Sequence, residues 1–138
     1  MILLFSRSQI QNYEFEPEGE NQIGNEPVFV FNYRQVKGTG SLTIVEAGHA
    51  LSKPLQGSVW FRKSDWKPLR VTLLVSWEQK IQADESIAKR EIRVEAAVDY
   101  TPSALGLVLP RFVAQRQFVS DQLMAENSCT YTPFEKLE

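Results

Sequence analysis

Apolar and polar residues alternate most cleanly where Leu69, Val71, Leu73, Val75 and Trp77 are interleaved with Arg70, Thr72, Leu74 and Ser76. Period two marks a strand with one apolar face, because successive side chains of extended backbone point to opposite sides. The pattern returns at Ile92, Val94, Ala96, Val98 and Tyr100, set against Glu91, Arg93, Glu95, Ala97 and Asp99. The polar link Ala83-Asp84-Glu85-Ser86 is too short for a parallel crossover, so the two runs form a long antiparallel hairpin.

Upstream, Val28-Phe29-Val30-Phe31 is apolar on both faces, as a more central or doubly covered strand would be. Tyr13 and Phe15, flanked by Asn12, Glu14 and Glu16, precede it across a Gly19 and Gly24-Asn25 turn region, and the two form another hairpin. Leu42-Thr43-Ile44-Val45 reads as a weak strand inside a long loop from Gly38 to Pro54. Ser58-Val59-Trp60-Phe61-Arg62 leads through Ser64-Asp65-Trp66-Lys67-Pro68 into the strand at Leu69. Residues 107–119 and 122–131 pair across Ser120-Asp121, with Pro110 at a strand start, an edge or a bulge because it cannot donate to a ladder.

These runs predict an all-β fold. Its architecture is a curved antiparallel sheet, an open or half barrel of about seven meandering strands with few or no helices, as one domain over residues 1–138. The apolar face of such a sheet needs a cover: a helix, a second sheet, closure on itself, a ligand or another chain. At ~1.5–3 kcal/mol for each large side chain fully buried, leaving it wet would forfeit much of a domain's ~5–15 kcal/mol. The predicted site is therefore the apolar face itself, with Trp60, Val75, Trp77, Val94 and Phe112 as ligand-binding residues.

Composition narrows the chemistry. Fifteen Lys and Arg against seventeen Asp and Glu give a net charge of −2, too balanced for a phosphate-backbone binder, so nucleic acid is not an expected partner. The single cysteine, Cys129, cannot make an internal disulfide, and its alternation with Leu123, Ala125 and Tyr131 reads as a buried core thiol. The apolar start Ile2-Leu3-Leu4-Phe5 is shorter than the ~7–15 residues of a signal-peptide core. No window approaches the ~20 apolar residues of a membrane-spanning helix, and the cytoplasm stays open as a compartment.

No motif specifies a reaction. His49 is the only histidine and has no serine or cysteine motif beside it, no metal-ligand spacing is present, and Gly38-Thr39-Gly40 is a turn rather than a phosphate loop. Glu14, Glu16, Glu18 and Glu20 recur every second residue; an acid–base or cation site would use them on one face, but an acidic edge that resists pairing explains them better. Lys89, Arg90, Arg93, Arg111 and Arg116 are interleaved with Glu91, Glu95 and Asp99, which reads as cross-strand ion pairing. Trp60, Phe61, Trp66 and Trp77 crowd one hairpin and are core by default. The expectation is a protein that is not an enzyme, with no catalytic residues, metal or cofactor.

Several fragments carry a resemblance. Leu55-Gln56-Gly57-Ser58-Val59-Trp60-Phe61, then Asp65 and Leu69-Arg70-Val71, resembles a hairpin in the second half of outer-membrane lipoprotein-sorting (LolA/LolB-like) domains. Val98-Asp99-Tyr100, Leu109-Pro110, Gln117-Phe118-Val119 and Tyr131-Thr132-Pro133-Phe134 are similar to that group's closing strands. The resemblance implies an unclosed half-barrel whose concave apolar face holds a lipid or the acyl chains of lipoproteins, in the periplasm or at the outer membrane. Relative to that family the chain lacks an export signal, a lipobox cysteine and the N-terminal strands and helices. Either it corresponds to part of a larger half-barrel, or self-association covers its face. Two readings follow: a non-enzymatic binding module with an apolar concave face, or a structural protein that homodimerises through the same face.

Overall fold

A computed structural model describes residues 7–38, 42–46, 48–83, 85–103 and 106–132. The apolar start, the Thr39-Gly40 pair and the Pro133-Phe134 part of the resemblance lie outside them. Among the described residues, nine strands follow a short 3-10 turn at Ile10–Asn12: β1 (Tyr13–Ile23), β2 (Glu26–Gln35), β3 (Leu42–Glu46), β4 (His49–Lys53), β5 (Gln56–Arg62), β6 (Pro68–Ala83), β7 (Ser86–Pro102), β8 (Val108–Val119) and β9 (Gln122–Thr130). Seven of them make one antiparallel sheet in the order β1-β2-β5-β6-β7-β8-β9, which is not closed into a barrel. β3 and β4 form a separate two-stranded ribbon inserted between β2 and β5. The described residues contain no α-helix.

The expected hairpins are all present. At the β8–β9 turn Ser120 (φ 48°) and Asp121 (φ 65°) are both left-handed, the conformation whose twist suits a two-residue hairpin link. Pro110 lies opposite Tyr100, beside a bulge in the β7–β8 ladder, so its missing donor breaks no regular rung. The weak strand at Leu42 is β3, but its partner β4 was not foreseen, since His-Ala-Leu-Ser-Lys has no alternation.

Register defines two faces. On the first, Phe31, Val59, Val71, Val98, Val113 and Cys129 form one row across six strands. On the second, Val30, Trp60, Arg70, Asp99, Phe112 and Thr130 form another. A first-face core of Tyr13, Tyr33, Leu55, Val59 and Val71 is joined by the partly buried Phe61, Leu73 and Tyr100. The second face has its own core of Val28, Val30 and Leu69, with Ile23 and Trp60 against it. β2 is therefore covered on both sides, as its unbroken apolar run predicts. Leu69 leaves the alternating set of β6 because the β5–β6 register shifts between Trp60 and Phe61.

The acidic run behaves as an edge. β1 has one neighbour in the sheet, and a bulge between Pro17 and Gly19 shifts its register. Glu14 and Glu16 lie opposite Arg34 and Asn32 on the second face, while Glu20 lies opposite Phe29 on the first, so the carboxylates do not share one side. Glu14 pairs with Arg34 at 2.7 Å and Glu20 with Lys63 at 2.8 Å. Cys129, expected in the core, is exposed. β9 is the other edge strand and is exposed along its whole length, so alternation there marks no buried face.

Candidate functional site

The structure divides the five predicted ligand residues between the two faces. Val75 lies opposite Val94 and Trp77 opposite Ile92, all on the first face. Trp60 and Phe112 belong to the second-face row, on either side of Arg70 and Asp99. There the Arg70 guanidinium bonds Asp99 (Nε to Oδ1, 2.6 Å) and lies 5.0 Å from the Trp60 ring centre. The Trp60 indole N–H donates to Ser58 Oγ at 2.9 Å. A single five-residue site is thus corrected: shifting a strand by one position moves its apolar set to the other side, and alternation within strands carries no information on the phase between them.

The first-face residues do line a cavity. Trp77, Ile92, Val94 and Val119 form its apolar wall, Gln79, Arg90 and Gln117 its polar rim, and Val45 reaches in from the ribbon strand β3. Its volume is about 320 Å³, at the lower end of the ~300–1,000 Å³ typical of ligand sites. Val75 lies nearby in a hollow with Lys53, Pro54 and Leu55. Two polar groups here are incompletely used. The Trp77 indole nitrogen is buried with no hydrogen-bond partner among the described residues, where a buried polar atom ordinarily has one. Arg90 Nε donates to Gln79 Oε1, yet its guanidinium pairs with no carboxylate among the described residues.

A larger groove of about 790 Å³ crosses the second face between Glu14, Glu16, Asn32, Arg34, Gln56, Ser58, Thr72 and Leu74. A hollow of about 350 Å³ shares Thr72 and Leu74 with it and continues over Glu95, Ala97, Ala114 and Arg116. The polar groups on its floor are largely satisfied internally. Ser58 and Thr72 hydroxyls lie 2.6 Å apart, the Ser58 backbone N–H donates to Thr72 Oγ1 at 2.9 Å, Arg34 holds Glu14, and Arg116 faces Glu126 at 3.5 Å. With both of its arginines paired to carboxylates and its hydroxyls bonded to each other, it makes a weaker demand for a ligand than the first-face cavity. Sequence alternation marks Thr72, Leu74, Glu95 and Ala97 only as the second side of their strands, and Glu14 and Glu16 as part of an acidic edge.

Elsewhere, the expected tryptophan cluster is re-sorted. Trp66 stacks on Phe29 (4.9 Å between ring centres, 19° between planes), with Phe31 and Phe61 at 6.2 and 6.0 Å. Lys63 Nζ lies 4.9 Å from the Phe29 ring. Trp60 is on the other side of the sheet. Of the five basic residues expected to pair, Lys89 faces Glu78 (3.7 Å), Arg93 faces Glu95 (3.2 Å) and Asp121 (2.7 Å), and Arg116 faces Glu126, while Arg90 and Arg111 pair with no carboxylate among the described residues. His49 is exposed at the start of β4. No group of three or more metal-ligating side chains converges among the described residues, and no helix among them is long and apolar enough to cross a membrane. No family model, curated protein or solved structure matches the chain.

Proposed function

We propose that the chain is a non-enzymatic binding module that seats a single apolar chain bearing an anionic head, of the fatty-acyl type, in the first-face cavity. One observation carries this reading: an apolar wall of Trp77, Ile92, Val94 and Val119 meets an indole N–H and an arginine that have, among the described residues, no hydrogen-bond partner and no carboxylate respectively. Each methylene removed from water contributes ~0.8 kcal/mol. A carboxylate head held by Arg90 would supply direction, since hydrogen bonds with an ionised partner are the stronger ones. The resemblance of the β5–β6 hairpin to lipoprotein-sorting domains agrees with an acyl ligand, and on that reading the compartment is the periplasm or the outer membrane.

The test is titration of the purified protein with palmitate, followed by tryptophan fluorescence and by native mass spectrometry before and after delipidation. The expected result is saturable one-to-one binding, lost in Val94→Glu and weakened in Arg90→Gln for palmitate but not for hexadecanol. No binding up to the solubility of palmitate, or binding unchanged in Val94→Glu, overturns the proposal.

A further inference from the structure

The β6–β7 hairpin outruns the rest of the sheet. β5 accompanies β6 only as far as Leu74, opposite Gln56, and β8 accompanies β7 only from Ile92, opposite Val119. Apart from the Ser120 N–H, which donates to the Glu91 carbonyl at 2.9 Å, residues 78–91 therefore pair only with one another among the described residues. An isolated two-stranded ribbon is marginal in water, and this one carries an added cost. Glu78 lies directly opposite Glu91, and Lys80 directly opposite Lys89, in adjacent rows of the same face. Like charges placed opposite each other destabilise a strand pair. Within the chain the relief is the diagonal Lys89–Glu78 contact at 3.7 Å, both side chains more than half exposed; Lys80 and Glu91 meet no opposite charge among the described residues.

Two glutamates in one row and two lysines in the next make a face complementary to itself when inverted. We infer that this arm is a self-association surface whose occupant is the same arm of a second copy, laid antiparallel and face to face. A two-fold axis lying across the strands, midway between the rows, sets Glu78 on the partner's Lys80 and Glu91 on the partner's Lys89, and the symmetry repeats both contacts. The rows are roughly 7 Å apart along the strands, a separation the flexible lysines bridge. The next row outward carries Ile87, an exposed apolar side chain (69%) beside Gln82. The same axis brings it over the partner's Arg93, whose guanidinium lies on the Phe118 ring at 4.3 Å. The association uses the opposite face of the hairpin from Trp77, Ile92 and Val94, so it stands or falls separately from acyl binding.

Sedimentation velocity over a concentration series tests it. Wild-type protein is expected to dimerise reversibly at low ionic strength and to dissociate as salt is raised, because exposed pairs are screened. K80E/K89E turns every contact repulsive and should raise the dimer dissociation constant at least about tenfold. Adding E78K/E91K to that pair exchanges the rows, restores complementarity and should restore the dimer; circular dichroism confirms that each variant is folded. A wild-type protein monomeric at every concentration, a dimer indifferent to K80E/K89E, or a failure of the fourfold exchange to rescue it overturns the inference.

Discussion

Tyr33 spans Gly57: its phenol crosses the place where a side chain would stand on β5 and donates to the Thr72 carbonyl of β6 at 2.6 Å. A Cβ on Gly57 would sit 2.9 Å from that hydroxyl oxygen, 2.7 Å from the Thr72 carbonyl carbon, and inside contact distance of the Thr72 oxygen. Backbone cannot swing aside as a side-chain tip can. Gly57→Ala should therefore destabilise the fold by at least ~1–3 kcal/mol, the usual cost of overpacking, seen as a lower urea midpoint.

Removing the other half of the contact has a milder effect and a pH signature. Tyr33→Phe gives up one hydrogen bond, worth ~0.5–1.5 kcal/mol. Burial pushes the Tyr33 phenol above its ordinary value, with a smaller push from Tyr13, and burial raises Tyr100 as well. A raised folded-state pKa means the folded protein holds the proton more tightly. That stabilisation is full below the unfolded value of about 10 and is lost as pH rises beyond it. Wild-type urea midpoints should fall from pH 9 to pH 11, and Tyr33→Phe should flatten most of that slope.

The alternation of β6 and β7 was legible because, from Val71–Val98 to Trp77–Ile92, an unbroken ladder keeps the apolar side of one strand against that of the other. The double covering of β2 was legible for the same reason: Val28 and Val30 on one side and Phe29 and Phe31 on the other leave no wet face. What period two cannot encode is phase. Trp60 and Val75 look alike in their own strands, and only the register of β5 on β6 places them on opposite sides. Nor can it encode bulges, which moved Leu69 and Glu20, or edge position, which left Cys129 in water. The first-face cavity was half legible: Trp77 and Val94 were expected, while Val45 arrives from a ribbon whose second strand carries no pattern.

The loop between β5 and β6 has an acid switch of its own. Arg62 holds Asp65 through two bonds, at 2.9 and 2.5 Å, and Trp66 adopts a left-handed backbone (φ 59°) to reach Phe29. The bond from Arg62, helped by the Lys67 backbone N–H, lowers the Asp65 carboxyl to about 2. A depressed folded-state value stabilises the loop above the unfolded value of about 3.9, and that contribution fades as pH falls toward about 2. The Trp66 indole resonance should lose its ring-current shift over that window, and Asp65→Asn should show the loss already at neutral pH.

Trp60 and Phe112 were expected to touch a ligand, yet between them stand Arg70 and Asp99, half-buried and bonded at 2.6 and 3.3 Å. If the row is architectural, its charges should depend on each other more than on anything added. Asp99→Val leaves the Arg70 guanidinium partly desolvated without its carboxylate; full burial makes such a loss cost ~3–5 kcal/mol, and the remaining exposure of this pair brings the expectation to ~1–3 kcal/mol. Arg70→Met/Asp99→Val removes both charges and leaves apolar side chains beside Trp60 and Phe112, so it should be more stable than Asp99→Val alone. Urea unfolding of the two single variants and the double measures the coupling. A double variant no more stable than Asp99→Val would mean that Arg70 gains nothing from its partner, and that the row is held by Trp60 and Phe112 instead.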